Sequence, residues 1–251
     1  MIHGHTNVVL WFSGGKDSLA CLYRFRDQLD DITVLWVDTG KNYPEAMQVI
    51  DAAKQMCPRW ETLPVDRDAQ WAQAGMPADL VPTDATVLGQ ALSHAKPTTI
   101  QSQHECCWAN IGATLCAATA RLGATLVISG QRADEAHHST STNGSRVQGF
   151  QFWYPLETWT RAEVLDYLTK HIGTLPAHYA LDHTSLDCYD CTGFADSSHD
   201  RVAWMRDRHP LLFQDYRDKL TQVQTAIQVP LSHYQALMEA VRGPAKNPPR
   251  C

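Results

Sequence analysis

The sequence predicts an α/β protein: an open, mostly parallel twisted sheet with helices on both faces and a helical C-terminal tail. Three observations carry this. Apolar runs and helical patterns follow one another as strand, helix, strand, helix, which suggests parallel strands joined by right-handed crossovers. A glycine turn, Ser13-Gly14-Gly15-Lys16-Asp17-Ser18, lies between the first strand and the first helix. A chain of 251 residues with 44% hydrophobic content can bury a large core without disulfides.

The elements follow in order. Residues 8–12, Val-Val-Leu-Trp-Phe, read as a buried strand that stops at Ser-Gly-Gly. Leu19, Leu22, Tyr23 and Leu29 fall mostly at helical spacing, so a helix is expected over residues 18–29. Residues 32–37 are a second strand, ended by Asp38-Thr39-Gly40. Pro44 suits a helix start, and residues 45–56 continue that helix. Residues 66–105 are broken by Gly75, Pro77, Pro82, Gly89 and Pro97 and read as an insertion with one or two short helices. An Ala-rich helix is expected over 110–122, then a strand over 126–129 and another over 150–154. Thr160 with Glu163 three residues on reads as a capping box opening a helix over 161–171. A cysteine-bearing loop and a helical tail complete the chain. The division expected is an α/β domain over 1–199, including that loop, and a helical extension packed on it over 200–251.

The formal charge is −6, with 21 basic and 27 acidic residues. This excludes a protein that coats nucleic acid with a basic surface, although a nucleic-acid acceptor could still reach a local site. No run approaches eighteen apolar residues, and Met1-Ile2-His3-Gly4-His5-Thr6 has no basic leader region. A cytoplasmic protein with no membrane partner is expected. Homo-oligomer formation is left open.

The loop of residues 13–18 is an anion site on physical grounds. Two glycines let the backbone gather N–H groups, and the next helix adds its positive end. Lys16 adds charge, and the hydroxyls of Ser13 and Ser18 add donors. It is not a Walker A loop, whose glycine and lysine spacing differs. The alternative is an ordinary glycine turn between strand and helix.

Eight cysteines are many for a reducing compartment with no use for thiols. Cys106-Cys107 and Cys188-x-x-Cys191 form two close pairs. Core packing, disulfides and a four-cysteine zinc site are the alternatives. Neighbouring residues cannot easily place both sulfurs on one tetrahedral ion, whereas a [4Fe–4S] cube offers a separate iron to each. Tyr189, Asp190, Thr192 and Gly193 make a tight polar loop around the second pair. Cys21, Cys57 and Cys116 read as packing.

Residues 13–18 resemble the PP-loop of the adenine-nucleotide α-hydrolase superfamily. Val37-Asp38-Thr39-Gly40 with Pro44-Glu45 resembles the second signature of the phosphoadenosine phosphosulfate (PAPS) reductase family within it. Ile128-Ser129-Gly130-Gln131-Arg132-Ala133-Asp134 is similar to that family's strand and Gly-x-Arg segment. Tyr154-Pro155-Leu156, with Trp159, Thr160, Val164 and Tyr167, is similar to a further segment, in which the Trp, Val and Tyr are packing residues. The resemblance covers most of 8–60 and 105–195, is weak over 66–104 and ends near 200. It implies a Rossmann-like sheet, a nucleoside near Asp38, Thr39, Gly40 and Gly130, and Arg132 facing an anionic group. The cysteine pattern looks like that of the adenylyl-sulfate (APS) reductases, which implies a [4Fe–4S] cluster on Cys106, Cys107, Cys188 and Cys191.

Two departures bear on the reaction. The reductases of this family lack the loop lysine, whereas Lys16 is present here. They end in Glu-Cys-Gly-Leu-His, whereas this sequence ends Pro248-Pro249-Arg250-Cys251. The first expectation is therefore an enzyme that cleaves ATP to AMP and pyrophosphate and so activates an acceptor for sulfur from a donor. Lys16 would act on the leaving pyrophosphate, Mg²⁺ on the phosphates, Asp17 on magnesium or loop order, and Arg132 on an anion. This resembles PP-loop enzymes of DNA phosphorothioation and tRNA thiolation. The second is an APS or PAPS reductase, with Cys251 as nucleophile and thioredoxin as partner. The third is a non-catalytic sensor of nucleotide or cluster.

Weaker readings complete the set. His137-His138 read as a solvated pair. Asp79, Pro82 and Thr83 read as either lid or surface loop. Arg201, Arg206, Arg208, His209, Arg217 and Lys219, interleaved with four aspartates, read as a solvated helix face.

Overall fold

The structure is a computed structural model and describes residues 2, 4–92, 98–135, 141–181 and 186–242. β1 (Val8–Trp11), β2 (Ile32–Asp38), β6 (Leu126–Ile128) and β8 (Phe150–Trp153) form the centre of a six-stranded sheet edged by β3 (Trp60–Pro64) and β7 (Arg146–Val147), in the order β3-β2-β1-β6-β8-β7. All neighbours pair parallel except β7 (Arg146–Val147), which is antiparallel to β8. Pleating explains the continuous apolar runs, because side chains alternate between two faces and both are covered. Val8, Leu10 and Phe12 join one core with Leu19 and Leu22 of α1 (Lys16–Arg24), Val49 and Ile50 of α2 (Pro44–Met56) and Leu168 of α7 (Arg161–Ile172). Val9, Leu35, Val127 and Phe152 join the other core with Leu115 and Ala118 of α6 (Ala113–Arg121).

β1 pairs with β2 on one side and β6 on the other. The chain therefore builds the sheet outward from β1 in both directions. In such sheets the crevice beyond the strand ends at this switch takes the ligand. The loop of residues 13–18 emerges there.

Several elements differ from the expectation. α1 starts at Lys16 and ends at Arg24, and a 3₁₀ segment (Arg26–Asp31) carries the rest of the expected helix. β3 (Trp60–Pro64) is an additional edge strand paired with β2. The expected insertion holds α3 (Arg67–Ala74), α4 (Val87–Leu92) and a two-stranded parallel sheet of β4 (Met76–Ala78) and β5 (Ile100–Ser102). α5 (Gln103–Cys107) runs through a wide π-type turn (Trp108–Gly112) into α6, so the expected helix over 110–122 starts on an irregular turn. The capping box of α7 is present: Glu163 N donates to Thr160 Oγ1 at 3.3 Å, and Thr160 N donates to Glu163 Oε2 at 2.7 Å.

α8 (His199–Arg208) and α9 (Pro210–Arg242) are long helices with two buried anchor clusters. Met205 and Tyr216 pack with Tyr43, Ala46 and Leu186, and Val223 packs with Met76, Ala78 and Ile100. Among the described residues no helix is long and apolar enough to cross a membrane.

Candidate functional site

The loop after β1 is shaped by its own side chains. Gly14 has φ +82°, a region that suits glycine, and an added Cβ would lie 3.1 Å from Ile50 Cγ1. Ser18 Oγ accepts from Ser13 N at 3.2 Å and donates to Gly15 O at 3.0 Å, which closes the loop onto the first turn of α1. Gly15 N donates to Ser13 Oγ at 3.3 Å. A cleft opens on this turn, lined by Ser13, Gly14, Gly15 and Lys16 and, from across it, His178, Tyr179 and Asp187. Tyr179 Oη donates to Gly14 O at 3.0 Å.

Asp17 joins the two expected cations. One carboxylate oxygen takes Lys16 Nζ at 3.1 Å, and the other takes Arg132 Nη1. Arg132, only 5% exposed, also gives Nε to Asp134 at 2.8 Å. The Asp17 carboxylate is thus taken up in loop order. Gly130 explains how the Arg132 segment comes so near: its Cα meets the α1 backbone, and an added Cβ would lie 2.6 Å from the carbonyl carbon of Asp17. Burial and the charge of Asp17 together push the Glu135 carboxyl above its ordinary range.

Beyond β2, Asp38 Oδ1 accepts from Gly40 N at 2.9 Å and Asn42 Nδ2 at 3.0 Å, so its carboxylate caps a turn. Gly40 has φ +68° at that turn. Thr39 is buried and accepts a contact from Cys188 Sγ at 3.5 Å. The turn after β2 and the cysteine loop therefore touch.

The four expected cysteines lie in one neighbourhood as free thiols. Burial raises the Cys107 thiol far above its ordinary range, and the charges of Cys191, Cys106, Asp187 and Cys188 add to it. Burial likewise raises Cys191, to about 11, with Arg201 opposing. At Cys106 burial prevails over a hydrogen bond from Trp71 Nε1 to Sγ at 3.3 Å and over the charge of Arg67. Among the described residues no three His, Cys, Asp or Glu side chains are grouped to hold a single metal ion.

Two buried arginines hold the Cys188–Cys191 turn, and the sequence reading missed the role of both. Arg201 donates to Cys188 O at 3.1 Å and Cys191 O at 2.9 Å. It is 3% exposed, which corrects its expected place on a solvated face. Arg67 pairs with fully buried Asp190, which also takes Lys219 Nζ at 2.7 Å. Arg206 and Arg217 do lie on exposed faces, each beside an aspartate. Asp79 accepts from Phe194 N and Ala195 N, both at 2.6 Å, and so braces the segment after Cys191. Cys21, Cys57 and Cys116 are buried, as packing requires. Cys251 and the His137-His138 pair lie outside the described residues.

A lysine-bearing glycine turn at the switch of a mostly parallel sheet defines an α/β protein of the open, doubly covered sheet class. The chain belongs to the PAPS reductase family: the family model described as "Phosphoadenosine phosphosulfate reductase domain" matches residues 7–194. Membership points to an enzyme with a sulfur-related, nucleotide-binding role. Among solved structures, the phosphate complex of phosphoadenylyl-sulfate (PAPS) reductase from Candida auris is similar at 16% identity and a TM-score of 0.49. That match covers 74% of this chain and 83% of the other. None of the curated proteins matches the chain.

Proposed function

We propose that this chain binds ATP at the loop of residues 13–18 and cleaves it to AMP and pyrophosphate, activating an acceptor for sulfur transfer. The observation that carries the proposal is Lys16 on the cleft wall beside the glycine turn, at the head of α1. An acceptor oxygen attacks the α-phosphorus, the α–β bond breaks, and pyrophosphate leaves with the bridging oxygen. Lys16 and the loop amides meet the charge that grows on that leaving group. A sulfur nucleophile then displaces AMP: the sulfur–acceptor bond forms as the acceptor–oxygen bond breaks, and AMP leaves with that oxygen. Asp17 keeps Lys16 and Arg132 in place. Mg²⁺, when bound with the nucleotide, supplies charge neutralisation at the phosphates, and Asp187 is the carboxylate on the cleft wall.

The donor set at the four thiols suits an iron–sulfur group. Four sulfurs share one electrostatic neighbourhood, an indole N–H points at one of them, and two guanidiniums flank them. Cys106, Cys107, Cys188 and Cys191 would hold a [4Fe–4S] cluster, which when bound supplies a site for holding or delivering sulfur. Contact between Thr39 and Cys188 would keep that centre next to the nucleotide turn.

Family membership favours a second reading, an APS or PAPS reductase that uses Cys251 and thioredoxin to make sulfite. One experiment separates the two. Protein purified without oxygen receives ATP–Mg²⁺ with candidate acceptors, and in parallel APS or PAPS with thioredoxin. The proposal expects pyrophosphate and AMP, with a loss of about a hundredfold in Lys16→Ala. Sulfite release abolished by Cys251→Ser supports the reductase instead. Nucleotide binding with neither product supports a sensor. Iron and sulfide analysis of the same sample tests the cluster, and zinc in their place rejects it.

A further inference from the structure

The wall of the cleft opposite the glycine loop is a single 3₁₀ turn (Ala177–Ala180). Pro176 leads into it, and three hydrogen bonds hold it. Tyr179 Oη reaches Gly14 O, while Arg161 Nη2 reaches Tyr179 O at 2.8 Å and Leu181 O at 2.9 Å. The turn is thereby fixed against the loop of residues 13–18 from one side and against α7 from the other. His178 sits in this rigid turn, 5% exposed, its ring edge-on to Tyr179 with centroids 4.6 Å apart. It lines the same cleft as Ser13, Gly14, Gly15 and Lys16.

Its neighbour on that wall is already engaged: Tyr179 is bound to Gly14. His178 Nδ1, by contrast, is buried with no hydrogen-bond partner among the described residues. Buried polar atoms are nearly always satisfied, and an exception beside a cleft points to a partner that arrives with a ligand. A neutral imidazole offers one N–H donor whichever tautomer it adopts. Across the cleft it faces the glycine turn and Lys16, and groups of that kind favour an acceptor-rich anion as the partner.

We infer that His178 is a binding residue for the phosphate chain of the nucleotide, donating an imidazole N–H to a phosphate oxygen held by the loop of residues 13–18. This rests on the nucleotide reading above and deepens it. The turn that carries the ring is held in place before the ligand arrives. It also gives the cleft two walls that act on one ligand: backbone N–H groups and Lys16 from one side, an imidazole from the other.

The test is calorimetric titration of the full chain with ATP, inorganic pyrophosphate and adenosine in turn. His178→Ala and His178→Phe remove the donor, and His178→Gln keeps one. Far-UV circular dichroism checks the fold of each, and His178→Phe decides the matter if the alanine variant does not fold. The expected result is a loss of about tenfold for ATP and for pyrophosphate in both donor-free variants, as removal of a hydrogen bond to a charged group predicts. Adenosine binding stays unchanged, and His178→Gln recovers part of the loss. Folded donor-free variants that bind pyrophosphate as wild type does would overturn the inference, as would an equal loss for adenosine. Wild-type protein that binds neither ATP nor pyrophosphate would reject the nucleotide reading itself, a different and recognisable failure.

Discussion

The Tyr179 hydroxyl and the Gly14 carbonyl, 165 residues apart in sequence, meet in a buried hydrogen bond of 3.0 Å. Through it the turn after α7 rests on the turn after β1. Burial, with the charge of Asp17 adding, holds the phenol far above its ordinary range, so Tyr179 stays a donor at any physiological pH. Gly14 is the residue whose left-handed backbone gives the loop its bend. The bond therefore fixes the carbonyl at the bend of the glycine loop.

Tyr179→Phe tests this with almost no change of shape. It leaves Gly14 O without its buried partner, at a cost of about 1–3 kcal/mol. The expected result is a lower urea midpoint with an unchanged denaturant slope, together with severalfold weaker pyrophosphate binding in calorimetry. A midpoint and affinity equal to wild type would show that the bond holds neither the fold nor the loop.

Gly130 carries the close approach of the Arg132 segment to α1. An added Cβ would meet three backbone atoms of Asp17 and Ser18 at 2.6–2.8 Å, none of which can rotate away. Gly130→Ala must therefore push β6 and α1 apart beside the loop of residues 13–18. A loss of about 2 kcal/mol or more is expected from such overpacking, measured by thermal melting. Pyrophosphate affinity should fall with it. A variant of native stability and affinity would refute the steric account.

These two positions show what the sequence made legible and what it did not. The runs Val8–Trp11 and Ile32–Asp38 are readable because both faces of a parallel sheet are covered, so nearly every residue in them is apolar. The glycine loop is readable because a tight bend between strand and helix needs glycine. β3 escapes because it is a half-buried edge strand carrying Glu61 and Thr62 and ending on Pro64. β4 and β5 escape because three residues show no period. Arg67 and Arg201 look like surface charges in sequence, and only tertiary packing buries them against Asp190 and the cysteine turn. His178 and Tyr179 belong to a turn whose local signal is Pro176 alone, and the partner of Tyr179 lies far away in the chain.

The Arg67–Asp190 pair is buried on both sides, with side-chain exposures of 2% and 0%. Arg67→Met strands an acid in the interior, although Lys219 still reaches its other oxygen. Breaking one partner of such a pair costs about 3–5 kcal/mol, and the surviving lysine contact places this case at the lower end. The double variant Arg67→Met/Asp190→Asn removes the charge as well and should recover part of that loss. Urea denaturation of the three proteins measures it. Equal losses in the single and double variants would show that the stranded charge is not the cause.

Glu45 gives the fold a pH dependence. It lies in the first turn of α2, where a carboxylate faces the positive helix end. His209 Nε2 meets its two oxygens at 2.9 and 3.0 Å, and Trp204 Nε1 donates to one of them at 3.2 Å. Burial pushes the carboxyl up, but hydrogen bonds from His209, its own backbone N–H and Trp204 outweigh that and hold it below the ordinary range. The folded state therefore binds its proton less readily than the unfolded chain, whose glutamate titrates near about 4.3. Stability from this contact is complete above that value and is lost as pH falls through the lower folded value. Glu45→Gln removes the titration while keeping an amide in place. The melting temperature of wild type should exceed that of the variant at pH 6, and the gap should close as pH drops below 4. A gap that stays constant from pH 6 to 3 would mean that the tie between α2 and the end of α8 does not depend on the Glu45 charge.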